Sequence, residues 1–180
     1  DYSGMTPEGA GWVLTVLMII GAANSLLAPA LSRLAGNRRR PLMLFSGVGT
    51  AVAFLTVVFC LLSGIHSPWL VGGAFILLAF AGNISPVLVA LVRESNRSDI
   101  WGVMLSVYAF LAYIVTAVIG HSTGWIMELF PPRVIDGVHV YGKDSYLAVF
   151  IVLSVCSLFA AYSGFRLKES NGKNISDEIR

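Results

Sequence analysis

Apolar residues run in five long blocks, at about residues 10–34, 41–62, 68–92, 100–129 and 146–167, with short polar segments between them. A helix needs roughly 20 apolar residues to cross a hydrocarbon core of about 30 Å, and every block reaches that length. The pattern therefore predicts an all-α, polytopic transmembrane bundle of five helices, preceded by a lead-in at 1–9 and followed by a polar tail at 168–180 that is expected to be disordered. Helix starts are marked. Thr6-Pro7-Glu8 offers a cap, a proline for the first turn and an acidic group at the positive end of the helix dipole. Pro41 and Pro68 open the second and third helices, Ser98 or Asp99 is the expected cap of the fourth, and Asp144 or Ser145 that of the fifth. Ile135-Asp136-Gly137-Val138 reads as a tight hairpin turn between the last two.

Within the blocks, the placement of small and polar groups separates the helices. Gly102, Ser106, Ala109, Tyr113, Thr116, Gly120 and Thr123 recur at alternating steps of four and three, on one stripe of the fourth helix. A shorter stripe in the third helix holds Gly72, Ala79, Asn83, Pro86 and Ala90. Gly21, Asn24, Ser25 and Pro29 cluster in the first. The second and fifth helices carry only small groups, suited to close packing or to bonding their own backbone. An amide in hydrocarbon is costly without a partner or water, and the intramembrane asparagines lie only in the first and third helices. Two readings fit: Asn24 and Asn83 border a polar cavity shared with the fourth helix, or they bond neighbouring helices. Pro86 is expected to kink the third helix. His121, near an end of the fourth, reads either as a solute or proton contact or as a neutral, hydrogen-bonded histidine.

Composition agrees with lipid as the solvent. Hydrophobic residues make up 56% of the chain and charged ones 12%, about half of what soluble domains carry, and the mean hydropathy is +0.77. The net charge of +2 hides an asymmetry. Ten of the twelve Lys and Arg residues fall on one side of the predicted membrane, and only Arg133 and Lys143 on the other. Cytoplasmic loops are the ones enriched in Lys and Arg, so the C-terminus is expected inside and Asp1 outside. Cys60 and Cys156 sit in apolar runs with no metal or disulfide spacing. No cofactor motif, metal site or nucleic-acid surface is present. Gly120-His121-Ser122-Thr123-Gly124 matches the G-x-S-x-G pattern, but within an apolar helix it lacks the strand-to-helix turn a hydrolase requires. No clustered His, Asp or Glu supports an enzyme.

The segment from Pro29 to Arg40, between the first two helices, resembles the basic loop of major facilitator superfamily transporters, G-x-x-x-D-R-x-G-R-R-R. Gly36, Arg38 and Arg39 match it; Pro29, Arg33, Leu34 and Asn37 replace the first Gly, the Asp and two Arg. This degenerate form is similar to the second-half copy of the family's loop. Of its Gly36, Arg38, Arg39 and Arg40, the arginines would then pair with helix ends on the cytoplasmic face. The lead-in Thr6 to Gly11, the Arg93 to Asn96 segment before Gly102, and the exit Lys168-Glu169-Ser170 resemble the family in the same order. The resemblance implies that the five helices are the eighth to twelfth of a twelve-helix transporter, a fragment lacking its N-terminal helices. It would lie in the plasma (inner) membrane and move a small polar solute by alternating access, with or without a coupling ion. The candidate cavity residues are Asn24, Ser25, Asn83, Tyr113, Thr116 and His121. A non-transporting sensor or assembly subunit built on the same bundle is the alternative.

Overall fold

The computed structural model of the chain describes residues 6–34, 36–135 and 138–176. Six helices follow one another among them: α1 (Pro7–Leu34), α2 (Arg40–Ser63), α3 (Pro68–Gly82), α4 (Ser85–Glu94), α5 (Trp101–Glu128) and α6 (Lys143–Arg166). A short hairpin, β1 (Arg133–Ile135) and β2 (Val138–Val140), joins α5 to α6. Its register sets Ile135 opposite Val138, as a two-residue connection demands. The turn residues Asp136 and Gly137 lie outside the described residues.

Five stretches are long and apolar enough to cross a membrane: 8–34, 40–63, 68–94, 98–128 and 143–166. The third is made of two helices. The expected single helix over 68–92 is instead broken at Asn83-Ile84, where Asn83 adopts φ −92° and ψ 60°. Pro86 supplies part of the reason. It has no N–H to give to the Gly82 carbonyl, and the backbone answers with a tighter bond, Ile84 N–H to Gly82 O at 3.2 Å. A sequence pattern sees the proline but cannot tell a bend from a break.

The helix starts follow local chemistry only in part. Thr6 caps α1, its hydroxyl accepting the Gly9 N–H at 3.1 Å. The caps expected at the fourth and fifth spans are not the ones used. A 3-10 turn, Ser98–Ile100, leads into α5 with no side-chain cap. It is held by the Trp101 indole N–H, which donates to the Arg93 and Asn96 carbonyls. At α6 the helix starts before Ser145, whose hydroxyl donates back to Gly142 O at 2.6 Å.

The tightest packing is between α2 and α6. Gly47, Gly49, Ala51 and Ala53 of α2 are buried, as are Ser154, Ser157, Ala161 and Gly164 of α6. A Cβ added at Gly47 would lie 2.5 Å from Ala161 Cα, so the two backbones touch only because that position has no side chain. Toward the hairpin end, Val57, Leu61 and Ala74 form a core with Tyr146, Leu147 and Phe150. The Phe150 ring sits 6.1 Å from Phe54 and 6.4 Å from Phe75. Ser154 and Ser157 spend their hydroxyls on Phe150 O and Ser154 O, the self-satisfaction expected of small polar groups in lipid. By contrast, α5 has no buried residue.

Candidate functional site

Two polar centres stand out in this apolar bundle. The first is the break in the third span. Breaking the helix frees carbonyls, among them those of Phe80 and Asn83, because Ile84 N–H bonds Gly82 O and Val87 N–H bonds Ile84 O at 2.9 Å. Asn24 of α1 takes both. Its amide donates to Phe80 O at 2.6 Å and to Asn83 O at 3.2 Å, and the residue is buried. The Asn83 side chain donates to Ala79 O at 2.8 Å. Asn24 thus bonds the neighbouring broken span in this structure.

A wide-open cavity, in effect a groove, of about 660 Å³ lies beside the break, between α1 and α3. Gly21 and Ser25 line it from α1, and Ala79, Gly82 and Asn83 from the other side. Its upper wall is apolar, with Leu14, Met18 and Phe75. The Ser25 hydroxyl donates to Gly21 O at 3.0 Å, leaving its oxygen able to accept. The arrangement can hold an uncharged polar group by hydrogen bonds and a small apolar body by packing. Among the described residues that line it, none is an acid or a base.

Tyr113, Thr116 and His121 do not join this cavity in the structure. All three are exposed on α5, and Tyr113 is 78% accessible. The Thr116 hydroxyl is bonded to Ala112 O. Most of the stripe of small residues is similarly open, with Ala109 and Thr123 half-buried: an added Cβ at Gly102 or Gly120 would meet nothing within 4 Å. Periodicity put these residues on one face correctly, but which neighbour that face meets is a tertiary fact.

The second centre is a charge cluster at the ends of α1, α4 and α6. Arg39 is buried despite its charge. Its Nε donates to both Glu94 oxygens at 3.1 and 3.2 Å, and its Nη2 to Oε1 at 2.5 Å. The remaining Nη1 donates to the Ser32 hydroxyl. This fork matches a carboxylate in two places at once, which is why arginine suits a dry ion pair. Ser170 completes Glu94 by donating to Oε2 at 2.6 Å. Glu169 accepts the N–H groups of Arg39 and Arg40 at 2.6 and 3.0 Å, at the start of α2. There the helix dipole favours an anion.

The basic loop reaches this geometry through its turn. Asn37 N–H bonds Ser32 O and Gly36 N–H bonds Arg33 O, the double bond of a Schellman ending. Gly36 sits at φ +71°, where a Cβ would be strained. Gly36 and the Arg38 side chain remain exposed. Arg40 donates to Phe165 O near the end of α6 at 3.0 Å. Two of the loop's three consecutive arginines thus engage helix ends. The tail, expected to be disordered, instead folds onto this cluster through residue 176. Ile175 N–H bonds Glu94 O at 2.7 Å, its side chain is buried, and Asn174 donates to Asn96 O. Glu94, Glu169 and Ser170 were not singled out as site residues by sequence reasoning. A carboxylate at the very end of an apolar run was the available signal, in both cases.

Among the described residues, no three of His, Cys, Asp and Glu lie close enough together to hold a metal. Comparison with known proteins adds the family. The family model of the Major Facilitator Superfamily matches residues 1–180. No curated protein and no solved structure matches the chain. With the whole length matched and five membrane-crossing stretches in the fold, this chain is a multi-pass membrane protein that belongs to the Major Facilitator Superfamily, a family of transporters.

Proposed function

We propose that the chain forms the last five helices of the C-terminal half of a secondary transporter, the eighth to the twelfth, and that it moves a small polar solute by alternating access. The observation that carries this reading is the broken third span at Asn83. Interrupted helices beside a mid-membrane cavity are where transporters of this kind bind solute. Here the break borders a cavity of about 660 Å³, and its freed carbonyls are held by Asn24. In the proposed mechanism Ser25 and Asn83 contact the solute. Tyr113, Thr116 and His121, on the open face of α5 and outside this cavity, meet the solute elsewhere on its path, together with helices beyond these five. The Arg39–Glu94 pair and the docked tail hold the basic end of the bundle closed in one state of the cycle.

The charge asymmetry supports a cytoplasmic C-terminus, and we place the protein in the plasma (inner) membrane. Vesicles containing the transporter, offered a panel of labelled polar solutes with and without a proton gradient, test this function. Asn83→Ala and Tyr113→Phe are expected to lower uptake by about tenfold each, the value of roughly one lost hydrogen bond to solute. Unchanged uptake in both variants removes the cavity assignment.

A further inference from the structure

The groove beside the break is graded along its length. Leu14, Met18 and Phe75 line one end, and Gly21, Ser25 and Asn83 the other. Phe75 and Gly82 lie roughly 10 Å apart along α3. At the polar end the two helices meet through an amide: a Cβ added at Gly21 would lie 3.1 Å from the Asn83 nitrogen. Most of the protons at this end are already spent. Ser25 donates its hydroxyl proton to Gly21 O at 3.0 Å, and Asn83 gives an amide hydrogen to Ala79 O at 2.8 Å. What they offer a ligand is mainly oxygen, Ser25 Oγ and Asn83 Oδ1. The Asn83 nitrogen is also its atom nearest to Gly21, which keeps its remaining hydrogen close to the α1 backbone. The end of α3 adds the same sign. Gly82 and the cap residue Asn83 line the groove, and no described residue of α4 does. The negative end of one helix dipole therefore faces the groove without the positive end of the next.

We propose that the groove selects an amphipathic solute whose polar end is a hydrogen-bond donor, a hydroxyl or an ammonium group, on an apolar body long enough to reach Phe75. The donor sits between Ser25 Oγ and Asn83 Oδ1, and the body runs along Leu14 and Met18. A carboxylate only accepts, so it meets two acceptors and the wrong end of a dipole. An ammonium keeps part of its water in so open a groove, which removes most of the cost of burying a charge. The inference rests on the groove being the solute site and names the class of solute it takes.

The transporter, reconstituted in nanodiscs of zwitterionic lipid, is titrated with probes that share one skeleton: phenylpropanol, phenylpropylamine, the methyl ether of phenylpropanol, and phenylpropanoate. Binding is read by calorimetry, with empty nanodiscs subtracted. The alcohol and the amine are expected to bind about tenfold more tightly than the ether and the carboxylate, the value of one to two hydrogen bonds. Either order between alcohol and amine supports the proposal and identifies the solute as neutral or cationic. Ser25→Ala and Asn83→Ala are each expected to weaken the two donors about fivefold and to leave the other two probes unchanged. Ser25→Ala gives up only a bond within α1 and serves where Asn83→Ala does not fold. Ether or carboxylate binding as tight as that of the alcohol, full binding of both donors in both variants, or no binding of any probe, as when another helix fills the groove, would each overturn the proposal. Uptake of some other solute by a protein that binds no probe sinks this inference and leaves the transport reading standing. Donor selectivity without any uptake does the reverse.

Discussion

The Asn24 amide donates to the Phe80 carbonyl at 2.6 Å, at the point where the third span stops being helical. The two residues stand 56 positions apart, and the bond couples α1 to a gap in its neighbour. In water such a gap would be hydrated. In hydrocarbon each free carbonyl needs an internal donor, and one side chain supplies two. The break is thus a property of α1 as much as of the helix that carries it.

This relationship gives the first prediction. Asn24→Ala leaves the Phe80 and Asn83 carbonyls without their donor and is expected to destabilise the fold by about 1–3 kcal/mol. Asn24→Asp, unable to donate when ionised, should be at least as harmful. Unfolding of the purified protein in mixed micelles measures both. An alanine variant as stable as the parent would mean that water or another group satisfies the break.

The Arg39–Glu94 pair makes the second. With side chains only 10% and 12% accessible, either charge left alone is nearly dry. Arg39→Gln or Glu94→Gln is expected to cost about 3–5 kcal/mol, while the double variant loses much less than the sum of the two. A double-mutant cycle on unfolding free energy reads the coupling. Strict additivity would show that the two side chains do not depend on each other.

Close backbone approach makes the third. At Gly47 even a methyl group would lie 2.5 Å from Ala161 Cα, so α2 and α6 must separate to admit it. Gly47→Ala is expected to destabilise by about 1–3 kcal/mol, and Gly47→Leu by more. Gly102→Ala on the open face of α5, where a Cβ meets nothing, is the control. Thermal denaturation in detergent compares them, and equal effects at the two positions would contradict the packing described.

Much of the architecture was legible because its cause is local. Block length and apolarity identify membrane-crossing helices without knowledge of any partner, and the five runs of the sequence recur as five candidate spans. The small-residue stripe of the fifth span foretold close packing, and its Ala161 provides it against Gly47, a glycine that lies off the second span's stripe of Ser46, Gly49, Ala53, Thr56 and Cys60. The candidate site was legible only in part. Ser25 and Asn83 line one cavity, whereas Tyr113 lies exposed on α5. A stripe says which residues share a face, not what that face meets.

The sequence by itself determined the solvent, the number of crossings, the side that carries positive charge and the faces on which polar groups fall. Each follows from hydropathy and a fixed helical repeat. Only the tertiary structure decided that the third span breaks rather than bends, that Asn24 serves the break, and that Arg39 takes Glu94 while the tail folds down to join them. The reason is the distance over which these bonds act. Asn24 meets Phe80 across 56 residues, Arg39 meets Glu94 across 55, and the Arg39 N–H meets Glu169 across 130. Nothing local distinguishes a buried polar group that has found its partner from one still waiting for it.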